Sequence, residues 1–165
     1  MTPLSLADIN AVTPYRVVQS TEGDYWFCTD SAINYNISFH KEFEIGGCMA
    51  FQFGIFNHEH KHAAFDPKIK ETIIAIIIEF FNKNKNILLY TCDSSDRREK
   101  ARNRLFIRWF KETDVNSKFT ICTTETIVEG QGMYVAIIVE NDNPRIDAIK
   151  EEFEMVSDAL MTGQK

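Results

Sequence analysis

The 165 residues are 44% apolar and 25% charged, the balance of a soluble globular chain long enough to bury a core. The net charge of −6 argues against a general binder of nucleic acid or anionic membrane. No apolar run approaches the roughly 20 residues a membrane helix needs; the run Ile73 to Ile78 stops at Glu79.

Four cysteines, Cys28, Cys48, Cys92 and Cys122, fall one per predicted strand without paired spacing. The first ten residues, MTPLSLADIN, carry neither a basic nor an apolar leader segment. The reading is reduced, buried thiols in a cytoplasmic protein.

In chain order, residues 1–13 read as a loosely packed arm, and residues 14–56 as a β-meander. Tyr15 to Gln19 and Tyr25 to Thr29 are its first strands. In the third, Ile33, Tyr35, Ile37 and Phe39 alternate with Asn34, Asn36, Ser38 and His40, so one face should be buried and the other wet. Gly46-Gly47 leads into the fourth, where Met49, Phe51, Phe53 and Ile55 alternate with smaller or polar residues. Asp66-Pro67 then starts a helix to about Lys83, with Asp as cap and Pro at the first position. Its isoleucines and phenylalanines cover about half the circumference, which demands deep burial.

Residues 86–113 follow as a buried strand, an acidic turn and a basic helix. Ile87 to Tyr90 form a short apolar run closed by Asp93-Ser94-Ser95, as in a strand covered on both faces. Asp96 and Glu99 have capping-box spacing. At roughly 100° per residue, Ala101, Leu105, Phe106, Trp109 and Phe110 share one arc. Arg97, Lys100, Arg104, Arg108 and Lys111 share the other, while Arg98 and Arg102 fall inside the apolar arc. Residues 97–111 hold seven basic residues against Glu99, a local +6 that leaves −12 for the remainder. A chain so polarised can pair its own halves, associate with a second copy as a homodimer, or present a basic ridge to an anion.

Lys118 to Ile127 and Met133 to Glu140 read as a hairpin joined at Glu129-Gly130-Gln131-Gly132. Asn143-Pro144 caps a last helix over 143–162, with Ile146, Ile149, Phe153, Val156 and Leu160 on one stripe. The order ββββ-α-β-α-ββ-α gives an α+β fold, a single domain over 1–165 whose mixed sheet is partly parallel.

The segment from Cys48 to about Glu140 resembles the core of the GCN5-related N-acetyltransferase superfamily, with ILLYTC and ARNRLFIRWFKE as the strand and helix that carry the likeness. The resemblance implies an acetyltransferase-like core over 66–140, and a helix holding the pyrophosphate of coenzyme A. The chain departs from that pattern. No glycine lies in His58 to Pro67, where the pyrophosphate loop would fall. Phe106 stands where the family carries a tyrosine general acid, and Arg102 where it carries a small residue. Asp-Pro-x-Ile-x-x-Thr-Ile, Cys-Asp-Ser-Ser-Asp and Arg-x-Arg-Leu-Phe-x-x-Trp-Phe also resemble a small family of uncharacterised Bacteroidota proteins, a likeness that implies no activity.

His58, His60 and His62 alternate but lack a matching ligand cluster, and a solvated loop explains them. Asp93 and Asp96 end a buried strand, where ligands of open sheets bind, yet a turn and a cap account for both. Arg98 and Arg102 need a carboxylate or a bound anion, because burying an unpaired charge costs several kcal/mol. No nucleophile–base arrangement, phosphate loop, metal site or cofactor motif is found. The expectation is a non-catalytic module that recognises an anionic ligand or acidic partner through helix 96–112. Arg97, Arg98, Arg102, Arg104 and Arg108 would be the binding residues, with Asp93 and Asp96 lining the site. The alternative is an acyl-coenzyme A-dependent N-acyltransferase with a degenerate cofactor loop.

Overall fold

The computed structural model describes residues 1–59, 66–93, 99–112, 117–128 and 131–162. Their elements in chain order are α1 (Leu6–Val12), β1 (Val18–Gln19), β2 (Tyr25–Cys28), β3 (Asn34–Ile45), β4 (Cys48–Asn57), α2 (Pro67–Lys83), β5 (Ile87–Asp93), α3 (Glu99–Glu112), β6 (Phe119–Val128), β7 (Gln131–Glu140) and α4 (Ile146–Thr162). The strands form one mixed sheet, ordered β1-β2-β3-β4-β5-β7-β6, so the chain is an α+β protein. It divides into two compact units, Met1–His40 with Phe53–Asn84, and Lys41–Gln52 with Lys85–Lys165.

In the first unit α2 is built as its sequence demands. Asp66 accepts a hydrogen bond from the Lys68 N–H at 2.9 Å and Pro67 follows it. Ile69, Ile73, Ile76, Ile77 and Phe80 recur at helical spacing, and all are buried. Phe80 stacks on Phe39 of β3 with ring centroids 5.0 Å apart, and Tyr25 of β2 meets Phe39 edge-on.

The lead expected as a loosely packed arm instead contains α1. Ser5 Oγ accepts from the Asp8 N–H at 3.2 Å as its cap, and Leu4 and Ile9 are buried. The Ser5 N–H donates to Glu79 Oε1 at 3.0 Å and the Thr2 N–H to Asn84 Oδ1 at 2.8 Å. Asn10 grips Val17 like a strand partner, accepting from its N–H at 2.7 Å and donating to its carbonyl at 2.8 Å. A seven-residue helix is too short to hold by propensity alone; these tertiary bonds hold it.

The alternation read in β3 is also corrected. Asn36 and Ser38, expected on a wet face, are 7% and 2% exposed. Asn36 lies opposite Trp26 and donates to Asp24 Oδ2 at 3.0 Å. The Phe56 ring and Ser38 Oγ both come within 2.7 Å of where a Cβ on Gly54 would stand, so that glycine lets the ring close over the serine.

The strand carries one further irregularity. Phe39 and Ile45 are six residues apart, so strict alternation would put them on one face. Yet Phe39 packs with Phe53 and Ile45 clusters with Ala50, and these two lie on opposite faces of β4. β3 therefore carries one extra residue, within His40–Glu44, a run of five exposed residues, as at a β-bulge.

In the second unit, Gly46 and Gly47, at φ +58° and +76°, make the tight turn between β3 and β4, the double positive φ of a two-residue hairpin. β4 and β5 pair in parallel, Ala50 to Ile87 through Gln52 to Leu89, as a helical crossover requires. β7 lies antiparallel between β5 and β6. Ile87, Leu89, Ile137 and Val139 turn one face towards Ile149 and Phe153 of α4, while Tyr90 meets α3 on the other.

Asn143 Oδ1 accepts from the Arg145 N–H at 2.9 Å ahead of α4. Val156, expected on the buried stripe, is exposed. The cysteine reading is corrected too: Cys28, Cys48 and Cys122 are free thiols, but Cys28 is exposed and the other two half-buried. No helix among the described residues is long and apolar enough to cross a membrane.

Candidate anion-binding helix

Aromatic stacking fixes α3. Phe106 stacks on Tyr90 of β5 with centroids 4.2 Å apart, and Phe110 meets Phe106 and Phe119 edge-on at 5.3 and 6.2 Å. Phe106 and Phe110 are buried, whereas Leu105 is 39% exposed. The apolar arc is thus narrower than the sequence suggested: Tyr90 of β5 and Phe119 of β6 meet it along the 106–110 line, and Leu105 lies at its margin.

With that inner face set, helical spacing turns positions 104, 108 and 111 outward. Arg104, Arg108 and Lys111 are all exposed. At 1.5 Å rise per residue they span about 10 Å along the axis. Arg108 Nε lies 3.6 Å from Glu112 Oε1, one turn on, with both side chains more than half exposed. Such a surface pair is worth well under about 1 kcal/mol and leaves the arginine able to exchange partners. Lys111, in the last turn, also complements the negative end of the helix dipole.

The remaining site residues are placed only in part. Asp96, Arg97 and Arg98 lie outside the described residues, as do His60 and His62. Arg102 is within α3, and Asp93 ends β5 opposite Met133; the structure describes the backbone there and not the side chains. Arg104 and Arg108 are therefore brought together on one ridge, with Lys111 beside them.

The first unit holds two groupings that the sequence reading passed over. Tyr15 Oη donates to Asp66 Oδ2 at 2.5 Å and accepts from the Asp30 N–H at 3.3 Å, while Lys68 pairs with Asp30 at 2.7 Å. Burial, then the bond to Asp66, pushes the Tyr15 hydroxyl above its ordinary pKa. His58 lies over the Trp26 ring at 4.5 Å. The signal for that contact was present in Tyr25-Trp26-Phe27: flanking aromatics turned inward put the tryptophan on the opposite face. Among the described residues no group of three or more His, Cys, Asp or Glu is placed to hold a metal ion.

Fold and ridge together define an α+β protein with a mixed seven-stranded sheet and a basic helix on one face of its second unit. A family of unknown function, DUF6169, matches residues 65–155, and the chain belongs to that family. The match covers α2 through most of α4. No curated protein and no solved structure matches the chain.

Proposed function

We propose that the protein is a non-catalytic cytoplasmic binding module that recognises an anionic ligand or an acidic partner surface through α3. The observation that carries this is the outward ridge of Arg104, Arg108 and Lys111, concentrated in a chain of net charge −6. Arg97, Arg98 and Arg102 would extend the positive field towards the helix start, with Asp93 and Asp96 at its margin. Rim charges of this kind set association rate and specificity more than affinity. Phe106 favours a non-catalytic reading: where the superfamily resemblance implies a tyrosine acid, a buried phenyl ring stacks on Tyr90 and has no proton to give.

The test is partner capture from lysate of the source cell with the full chain and with Arg104→Ala/Arg108→Ala. The variant should lose the captured partner and keep its melting temperature; equal capture by both ends the reading.

One observation favours a second reading, an acyl-coenzyme A-dependent N-acyltransferase. The order that the resemblance implies, a meander, a helix, a strand, a helix and a hairpin, is present as β1–β4, α2, β5, α3 and β6–β7. Acetyl-coenzyme A bound well above its dissociation constant would stabilise the chain by a few kcal/mol. No thermal shift at millimolar ligand removes that reading.

A further inference from the structure

The sheet ends in two unlike edges. β1 is two residues long, a short edge that offers little to pair with. β6 is ten residues long and pairs with β7 without a break, from Phe119 opposite Glu140 to Val128 opposite Gln131. It carries one charged residue, Glu125, and no proline, and the unbroken register leaves no room for a bulge. Among the described residues no other strand pairs with it. Along Thr120–Thr126, half of the backbone N–H and C=O groups therefore face away from β7, in a long strand that Glu125 alone charges and that neither proline nor a bulge interrupts.

We infer that this edge pairs with β6 of a second copy, antiparallel about a two-fold axis normal to the sheet. Such an axis keeps each sheet face on its own side, so paired positions must share parity and the axis must pass through a residue. Centring on Glu125 would oppose two carboxylates, which is unfavourable. Centring on Thr123 sets Thr120 against Thr126, Cys122 against Thr124, and Ile121 against Glu125 of the second copy. This register pairs threonine with threonine, a favourable cross-strand combination, and meets no like charges. Thr123 itself is exposed, so the axis falls where nothing has to move. The strand is thus its own complement in length, alternation and charge, which a strand of another protein would have to match by coincidence.

Sedimentation equilibrium of the full chain should give twice its 19.1 kDa mass. Thr123→Lys puts two like charges face to face and should return the mass to that of one chain, with a cooperative unfolding transition whose midpoint no longer depends on protein concentration. Thr123→Cys places the two Cα atoms about 5 Å apart across the axis, within disulfide reach. Mild oxidation should therefore give a covalent dimer that the unsubstituted chain does not form. Three results overturn the inference: one-chain mass at every concentration into the millimolar range, a dimer that survives Thr123→Lys, or no cross-link through Thr123→Cys. A monomer whose edge instead takes up a strand of a different protein overturns it equally.

Discussion

Gly46 and Gly47 adjoin in the chain but differ in what surrounds them. Both have positive φ, which costs any other residue roughly 1–2 kcal/mol. A Cβ on Gly46 would also stand 2.5 Å from the Ile149 backbone nitrogen, whereas on Gly47 it would meet the end of the exposed Arg145 side chain. Gly46→Ala should thus cost about 2–4 kcal/mol and Gly47→Ala about 1–2, measured by urea unfolding; equal costs would contradict this. The hydroxyls of Tyr15, Tyr25 and Tyr35 are all raised above 10.0, with burial the largest cause. The folded state therefore holds these protons where the unfolded chain releases them. Their contribution is complete below pH 10.0 and is lost as pH rises towards the folded values. Ionisation of these three hydroxyls, followed by their own tyrosine resonances, should accompany unfolding and not precede it. The sequence showed that Gly46-Gly47 turns the chain, but not which glycine abuts α4, since that depends on a contact about a hundred residues away.

At the scale of the element, α2 and α3 differ in how far their sequences could be read. Of the large apolar residues expected inside α2 all are buried but Ile78, which is half-buried, because the arc of α2 is wide enough that small errors in direction matter only at its margin. α3 has a narrow arc, and Leu105 at its margin fell outside. Phe106→Ala should cost about 3–5 kcal/mol, and Leu105→Ala less than about 1 kcal/mol, compared by thermal unfolding. α1 was not legible as a helix: seven residues give little periodicity, and its anchors, Glu79 and Asn84, lie far along the chain. Deleting residues 1–12 leaves Glu79 buried without the Ser5 N–H, so the shortened chain should unfold at a clearly lower temperature. An unchanged melting temperature would restore the loose arm.

Across the whole molecule, the meander, the parallel crossover and the final hairpin followed from element order, because helices between strands dictate parallel neighbours. The extra residue in β3 did not, since periodicity read along one strand is blind to the register of its partner. The candidate site was legible as a concentration of charge: seven basic residues within fifteen stand out in any acidic chain. Which of them face outward depended on the partners of Phe106 and Phe110, and the structure answers that for Arg104, Arg108 and Lys111. The central claim is that this ridge binds negative charge. A calorimetric titration of poly-glutamate into the full chain and into Arg104→Ala/Arg108→Ala, at low and at high salt, tests it most directly. Binding by the unsubstituted chain that weakens with salt, and about tenfold weaker binding by the equally stable variant, is the predicted result; equal affinity of the two proteins would contradict it.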